Sequence, residues 1–123
     1  MDEVKRLLIV DDEETITFSL YRAFIKAPID CEVITAESGE QAWERVQQKP
    51  FDVVITDLTM DGMDGFELLK RVKQHYPGTR VIIITAYGTD EKEQKAYDLG
   101  ADKYLEKPFD INELKNLVFQ WMS

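Results

Sequence analysis

Apolar residues follow two alternating periods along the chain. Short runs at positions 5–10 (KRLLIV), 31–36 (CEVITA), 51–56 (FDVVIT), 80–85 (RVIIIT) and 103–106 (KYLE) are separated by longer stretches in which apolar residues recur every three or four positions. Strands alternating with helices predict βα units and a parallel sheet. The first, third and fourth runs are apolar enough to be buried on both faces. Ile16, Leu20, Ala23 and Phe24 form one helical stripe, Phe66, Leu69, Val72 and Tyr76 a second, and Leu114, Leu117, Val118 and Trp121 a third. These stripes are read as core, not as cofactor contacts.

Helix starts are marked where a side-chain acceptor precedes Glu or Gln by three positions: Ser38 with Gln41, Asp64 with Glu67, Asp90 with Glu93 and Asp110 with Glu113. Gly100 is placed to end the fourth helix and Pro77-Gly78 the third. That fourth helix, DEKEQKAYDL, offers only Ala96, Tyr97 and Leu99 for burial. It is expected to be the least anchored helix, a property that suits a moving element and equally a merely solvated one.

The length of 123 residues and a hydrophobic content of 44% suit one domain over 1–123 with a single real core. Fifteen Lys and Arg against 24 Asp and Glu give a net charge of −9, which argues against direct binding of nucleic acid or anionic lipid. Cys31, the sole cysteine, excludes an internal disulfide and a thiolate metal cage, and is read as a small buried apolar residue. LLIV before DDEE is far shorter than the apolar core of a signal peptide, and no segment approaches membrane-spanning length. A soluble, cytoplasmic protein is expected.

Charge enters the picture most sharply where the strands end. In a parallel sheet all strands finish at one edge, where ligands bind. That edge would receive Asp11 and Asp12 from the first strand, Asp57 from the third, Thr85 from the fourth and Lys107 from the fifth. A flavodoxin-like 2-1-3-4-5 order would set Asp57 between the acid pair and Thr85. Carboxylates ~4 Å apart repel by about 1 kcal/mol per pair in water and by more in a drier cleft. Lys107 supplies one compensating charge. A hard divalent cation such as Mg²⁺ supplies two and accepts carboxylate ligands. Beside it, Asp57 could attack phosphorus and form an aspartyl phosphate.

At this point the chain resembles the receiver domain of two-component response regulators, from about Lys5 to Trp121. The resemblance rests on LIVDDE, VVITD followed by GMDG, IITA and YLEKPF in the family's order and approximate spacing. It implies a doubly wound (βα)5 fold with Asp57 as phospho-acceptor. Asp11 and Asp12 would hold Mg²⁺ or Mn²⁺ with Asp57 and the backbone carbonyl of Thr59. Lys107 would assist at the phosphoryl group, and Thr85 and Tyr104 would be the pair that reorients on phosphorylation. Thr59 and Tyr87 match positions that influence phosphate lifetime. A cis bond between Lys107 and Pro108 is implied as well. One departure stands out: the family usually has MPGMDG where this chain has MDGMDG, so Asp61 replaces a proline, frees the loop backbone and adds a negative charge near the metal.

The function implied is a phosphorylation-dependent signalling switch of a two-component system or phosphorelay, not a turnover enzyme. The face formed by the fourth helix, fifth strand and fifth helix would change its partner affinity. Implied partners are a sensor histidine kinase or a phosphotransfer protein, an output domain or downstream partner, and a second copy of the chain. His75, the sole histidine, is read as a surface residue near a helix end, so a phosphohistidine donor must lie on another protein. An EF-hand is rejected because its twelfth position is Leu68 and a strand precedes it; no P-loop motif exists. Two alternatives are a Mg-dependent phosphatase with an aspartyl-phosphate intermediate, which generally has a second Asp where Thr59 stands, and a receiver-like module that is never phosphorylated.

Overall fold

The computed structural model describes residues 4–26 and 30–123. Five strands and five helices alternate: β1 (Lys5–Val10), α1 (Glu14–Ile25), β2 (Cys31–Ala36), α2 (Gly39–Gln48), β3 (Val53–Asp57), α3 (Gly65–His75), β4 (Arg80–Thr85), α4 (Asp90–Asp98), β5 (Lys103–Glu106) and α5 (Ile111–Met122). All strand pairs are parallel, in the order β2-β1-β3-β4-β5. The central strands β1, β3 and β4 are the ones buried on both faces, as their unbroken apolar runs require.

Side chains alternate between two cores. Leu8, Val10, Val54, Val81 and Ile83 face α2, α3 and α4 through Val46, Leu68, Leu69, Val72 and Ala96. Leu7, Ile9, Val53, Ile55, Ile82 and Ile84 face α1 and α5 through Leu20, Phe24, Leu114, Val118 and Met122. The sheet is thereby covered on both sides, and its carboxyl edge is left open for chemistry.

Ser38, Asp64 and Asp110 cap their helices as the spacing predicts. The fourth start is corrected by one residue: Thr89 is the cap, its hydroxyl accepting from Lys92 N at 3.1 Å. Asp90 then sits in the first turn with Glu91 and Glu93, where its charge favours the helix dipole. α4 ends as expected at Gly100 (φ 106°), whose amide donates to Tyr97 O. α3 stops at His75, two residues ahead of Pro77-Gly78. Two burial expectations also change. Tyr97 is exposed, because it lies one step around the helix from the buried Ala96. Cys31 is only half-buried, since it opens the edge strand β2; burial still pushes its thiol up to about 11.

Candidate functional site

The sheet order delivers the sequence-derived residues to one rim. β1 and β3 are adjacent, with Val10 opposite Thr56, so Asp11 and Asp57 leave neighbouring strands at the same level. Oxygens of Asp11, Asp12 and Asp57 all lie within 4.8 Å of one another. Asp11 is 1% exposed and Asp57 5%, while Asp12 faces solvent. β5 turns at Glu106 and carries Lys107 back over this rim, with a cis Lys107–Pro108 bond immediately after. Lys107 Nζ donates to Asp11 Oδ2 at 3.0 Å and stands 3.8 Å from Asp57 Oδ1 and 3.4 Å from Glu13 Oε1.

The lysine is outnumbered by carboxylates. Burial, then the charge of Asp11, push the Asp57 carboxyl up to about 6, although Lys107 and the amides of Leu58 and Thr59 oppose the rise. Asp11 is likewise raised, mainly by burial, against the amide of Glu13 and the lysine. Burial alone would lower Lys107; its bond to Asp11 and the charges of Asp11, Asp57 and Glu13 win, and its net direction is upward. The two buried carboxylates therefore hold protons more readily than ordinary ones while a full lysine charge sits beside them. A hard divalent cation would relieve that imbalance, and the oxygen-only donor set fits Mg²⁺ or Mn²⁺.

Thr85 is fully buried at the end of β4, and its backbone carbonyl accepts from Lys107 N at 2.8 Å. Its hydroxyl oxygen accepts from Tyr87 N at 3.2 Å, which leaves the hydroxyl proton free to donate elsewhere. Tyr87 projects to solvent with 78% exposure, and Thr59 is exposed on the loop after β3. Tyr104 lies one strand further, on β5. Its ring already points inward at 6% exposure, its amide donates to Tyr97 Oη at 3.2 Å, and its hydroxyl has no hydrogen-bond partner among the described residues.

His75 lies at the far end of α3, exposed, with its ring against Trp43 and Nδ1 2.9 Å from Arg71 O. Two contributors were not singled out from the sequence. Glu13 N donates to Asp11 Oδ1 at 2.9 Å, and the Glu13 carboxylate accepts from Lys107 Nζ at 3.4 Å; its place directly after the acid pair was the available signal. Glu40, in the first turn of α2, accepts from Met63 N at 3.0 Å in the loop after Asp57, a contact between distant elements that no local pattern announces.

Comparison with known proteins agrees with this arrangement. The model of the response regulator receiver domain matches residues 7–119. The DNA-binding transcriptional regulator NtrC of Klebsiella pneumoniae is 44% identical over 115 residues, covering 94% of this chain but only 24% of the relative. The chain thus spans about a quarter of that relative's length. Sporulation initiation phosphotransferase F of Bacillus subtilis is 38% identical over 118 residues, covering 96% of this chain and 94% of the relative. Among solved structures, a CheY-like receiver domain protein from Methanospirillum hungatei superposes with a TM-score of 0.90 at 27% identity, over 96% of this chain and 93% of that one. Chemotaxis protein CheY4 of Vibrio cholerae gives 0.86 at 32% identity, over 96% and 98%. Fold, strand-end acids and family match all lead to one assignment: this chain belongs to the response regulator receiver domains.

Proposed function

We propose that the chain is a phosphorylation-dependent switch in which Asp57 takes a phosphoryl group from a phosphohistidine on a partner protein. The observation that carries this reading is the gathering of Asp11, Asp12 and Asp57 oxygens within 4.8 Å, with Lys107 3.8 Å from Asp57. Receiver domains are signalling domains that bind Mg²⁺ at an acidic pocket. Here Asp11, Asp12, Asp57 and the Thr59 carbonyl would hold Mg²⁺ or Mn²⁺. When bound, it would neutralise charge on the transferring phosphoryl oxygens.

The Asp57 oxygen attacks phosphorus, a P–O bond forms as the P–N bond breaks, and the imidazole nitrogen leaves with the electron pair. Asp57 must be ionised to attack, which its carboxyl, pushed up to about 6, allows above that pH. Lys107 exchanges part of its bond to Asp11 for a phosphoryl oxygen. Thr85 already accepts from Tyr87 N, so its proton is available to a second phosphoryl oxygen. The new group carries about −1.5 to −2 charge, and its pull on Thr85 would be felt next by Tyr104 and the face of α4, β5 and α5. Because the Tyr104 ring is already buried, the change would stabilise an existing position of the ring more than create one.

His75 is no internal donor: ten helical steps along α3 separate it from the loop beside Asp57 by about 15 Å. Receiver domains interact with histidine kinases or phosphotransfer proteins, and one of these is the donor proposed here. α1 supports such an approach, since Phe18 (61% exposed) and Tyr21 line a groove of about 540 Å³ that Asp11 also lines, and Ile25 is a further exposed apolar residue of the same helix. An output domain or downstream partner, or a second copy of the chain, would read the α4–β5–α5 face. Among the described residues no helix is long and apolar enough to cross a membrane, and a cytoplasmic setting is proposed.

Intact-mass measurement after incubation with acetyl phosphate and Mg²⁺ tests the reading. One phosphoryl adduct is expected per chain, absent in Asp57→Asn. Sustained hydrolysis of a phosphate ester would instead favour the phosphatase, and no adduct at all would favour an unphosphorylated module.

A further inference from the structure

The loop of residues 58–64 carries the Thr59 carbonyl assigned above to the cation, and it contains no proline. Its two ends are fastened. Leu58 N donates to Ile84 O at 2.9 Å and Gly65 N to Leu58 O at 2.9 Å, while Asp64 caps α3 through Glu67 N at 2.9 Å. Its second half is held from outside by a residue of α2: Glu40 Oε2 accepts from Met63 N at 3.0 Å, across 23 positions of sequence. The neighbouring Gly39 makes the approach possible. A Cβ there would collide with the Met63 carbonyl oxygen and stand 2.8 Å from Met63 Cβ. The first turn of α2 is therefore in direct contact with the loop, and a side-chain oxygen on that turn closes the contact by accepting from a backbone amide.

We infer that Glu40 is a positioning residue for the cation site, acting through Met63 on the loop that presents Thr59. The role rests on the proposed function. Asp61, where a proline would restrict φ, leaves the loop backbone otherwise free, so the tether performs the restraint that the sequence lacks. Glu40 touches no phosphoryl or cation ligand itself. Its contribution is that fewer loop conformations must be abandoned when the ligand set assembles.

Amide NMR of the full chain, with Glu40→Ala and Glu40→Gln, tests this. Glu40 is exposed, so both variants are expected to fold. In metal-free protein, Glu40→Ala should speed Met63 amide exchange at least tenfold. The same variant should weaken Mg²⁺ binding, followed by the shifts of Asp12 and Leu58 amides, roughly fivefold, or about 1 kcal/mol. Glu40→Gln keeps an oxygen acceptor without the charge and should stay within about twofold of wild type. Unchanged exchange and affinity in Glu40→Ala would overturn the tether, and so would a Glu40→Gln variant as weak as Glu40→Ala, which would make the effect one of charge. A wild-type chain with no Mg²⁺ response would instead remove the cation site itself, and this role with it, even if Met63 exchange still responded.

Discussion

Ninety-six positions apart in sequence, Lys107 Nζ and Asp11 Oδ2 lie 3.0 Å apart at the carboxyl edge of the sheet. Asp11 has no solvent-exposed side-chain surface, and Lys107 retains little. The lysine thus balances a buried charge before any phosphoryl group arrives. Removing one partner of such a pair leaves the other poorly solvated, and Lys107→Met is expected to cost about 3 kcal/mol at pH 8. The cost should shrink toward pH 5, because Asp11 already holds its proton more readily than usual and would take one up in place of the lost cation. Urea unfolding at both pH values checks this; an equal cost at each would show that the pair is not the source.

Asp57 gives a second pH dependence of definite sign. Its folded-state pKa, pushed up to about 6, lies above the ordinary 3.8. A carboxyl that binds its proton more tightly when folded favours the folded state at low pH, and this advantage is lost as pH rises through that interval. The difference corresponds to roughly 3 kcal/mol. Asp57→Asn should therefore be more stable than wild type at pH 8 without divalent cation, with the gap closing near pH 4. Mg²⁺ should raise the wild-type Tm at pH 8, by an amount equivalent to about 2.7 kcal/mol at a hundred times Kd, and much less at pH 5. The Asp57→Asn variant should show little of this cation effect. Calorimetry across pH, with and without Mg²⁺, measures all four arms.

The residues legible from sequence are those whose position follows from the end of a strand. Once β1, β3, β4 and β5 are parallel neighbours, Asp11, Asp57, Thr85 and Lys107 share a rim by topology alone. Glu40 was not legible in this way, because its contact depends on where α2 comes to rest over the loop after β3. The choice between Thr89 and Asp90 as a cap was also closed to local reading, since both side chains can accept and only packing decides the register. Tyr104 was placed on the correct strand, yet its inward ring depends on what lies across from it.

What lies across from it is Gly88. A Cβ built there would stand 2.7 Å from the Tyr104 hydroxyl and 2.7 Å from Glu106 Oε1. Gly88→Ala should therefore drive the ring from its inward position, costing about 1–2 kcal/mol by overpacking. Tyr104→Phe alone should cost little, because the hydroxyl it removes is buried without a hydrogen-bond partner among the described residues. Combining Gly88→Ala with Tyr104→Phe should recover most of the loss. A double-mutant cycle by urea unfolding reads the coupling, and strict additivity would place the strain elsewhere.

α4 should open most readily of the five helices. Of its nine residues only Ala96 is buried, whereas α3 buries Leu68, Leu69 and Val72. Its other fastenings are polar or peripheral: the Thr89 cap, Lys92 Nζ on Tyr87 O at 2.9 Å, the Tyr97 hydroxyl on Tyr104 N, and Lys95 4.4 Å from the Phe66 ring centre. Each such contact contributes about 1 kcal/mol or less, while a buried Leu contributes about 2–3 kcal/mol. Native-state hydrogen exchange should therefore find α4 amides exchanging through local openings several kcal/mol below the global unfolding free energy, with α3 amides close to that limit. Tyr97→Phe removes the hydrogen bond that joins α4 to β5 at Tyr104 N, and should lower α4 protection several-fold while leaving α3 unchanged. Equal protection of α3 and α4 would mean that apolar burial does not set the order of opening, and the face carrying α4 would then lack the low-energy motion that a phosphorylation signal could bias.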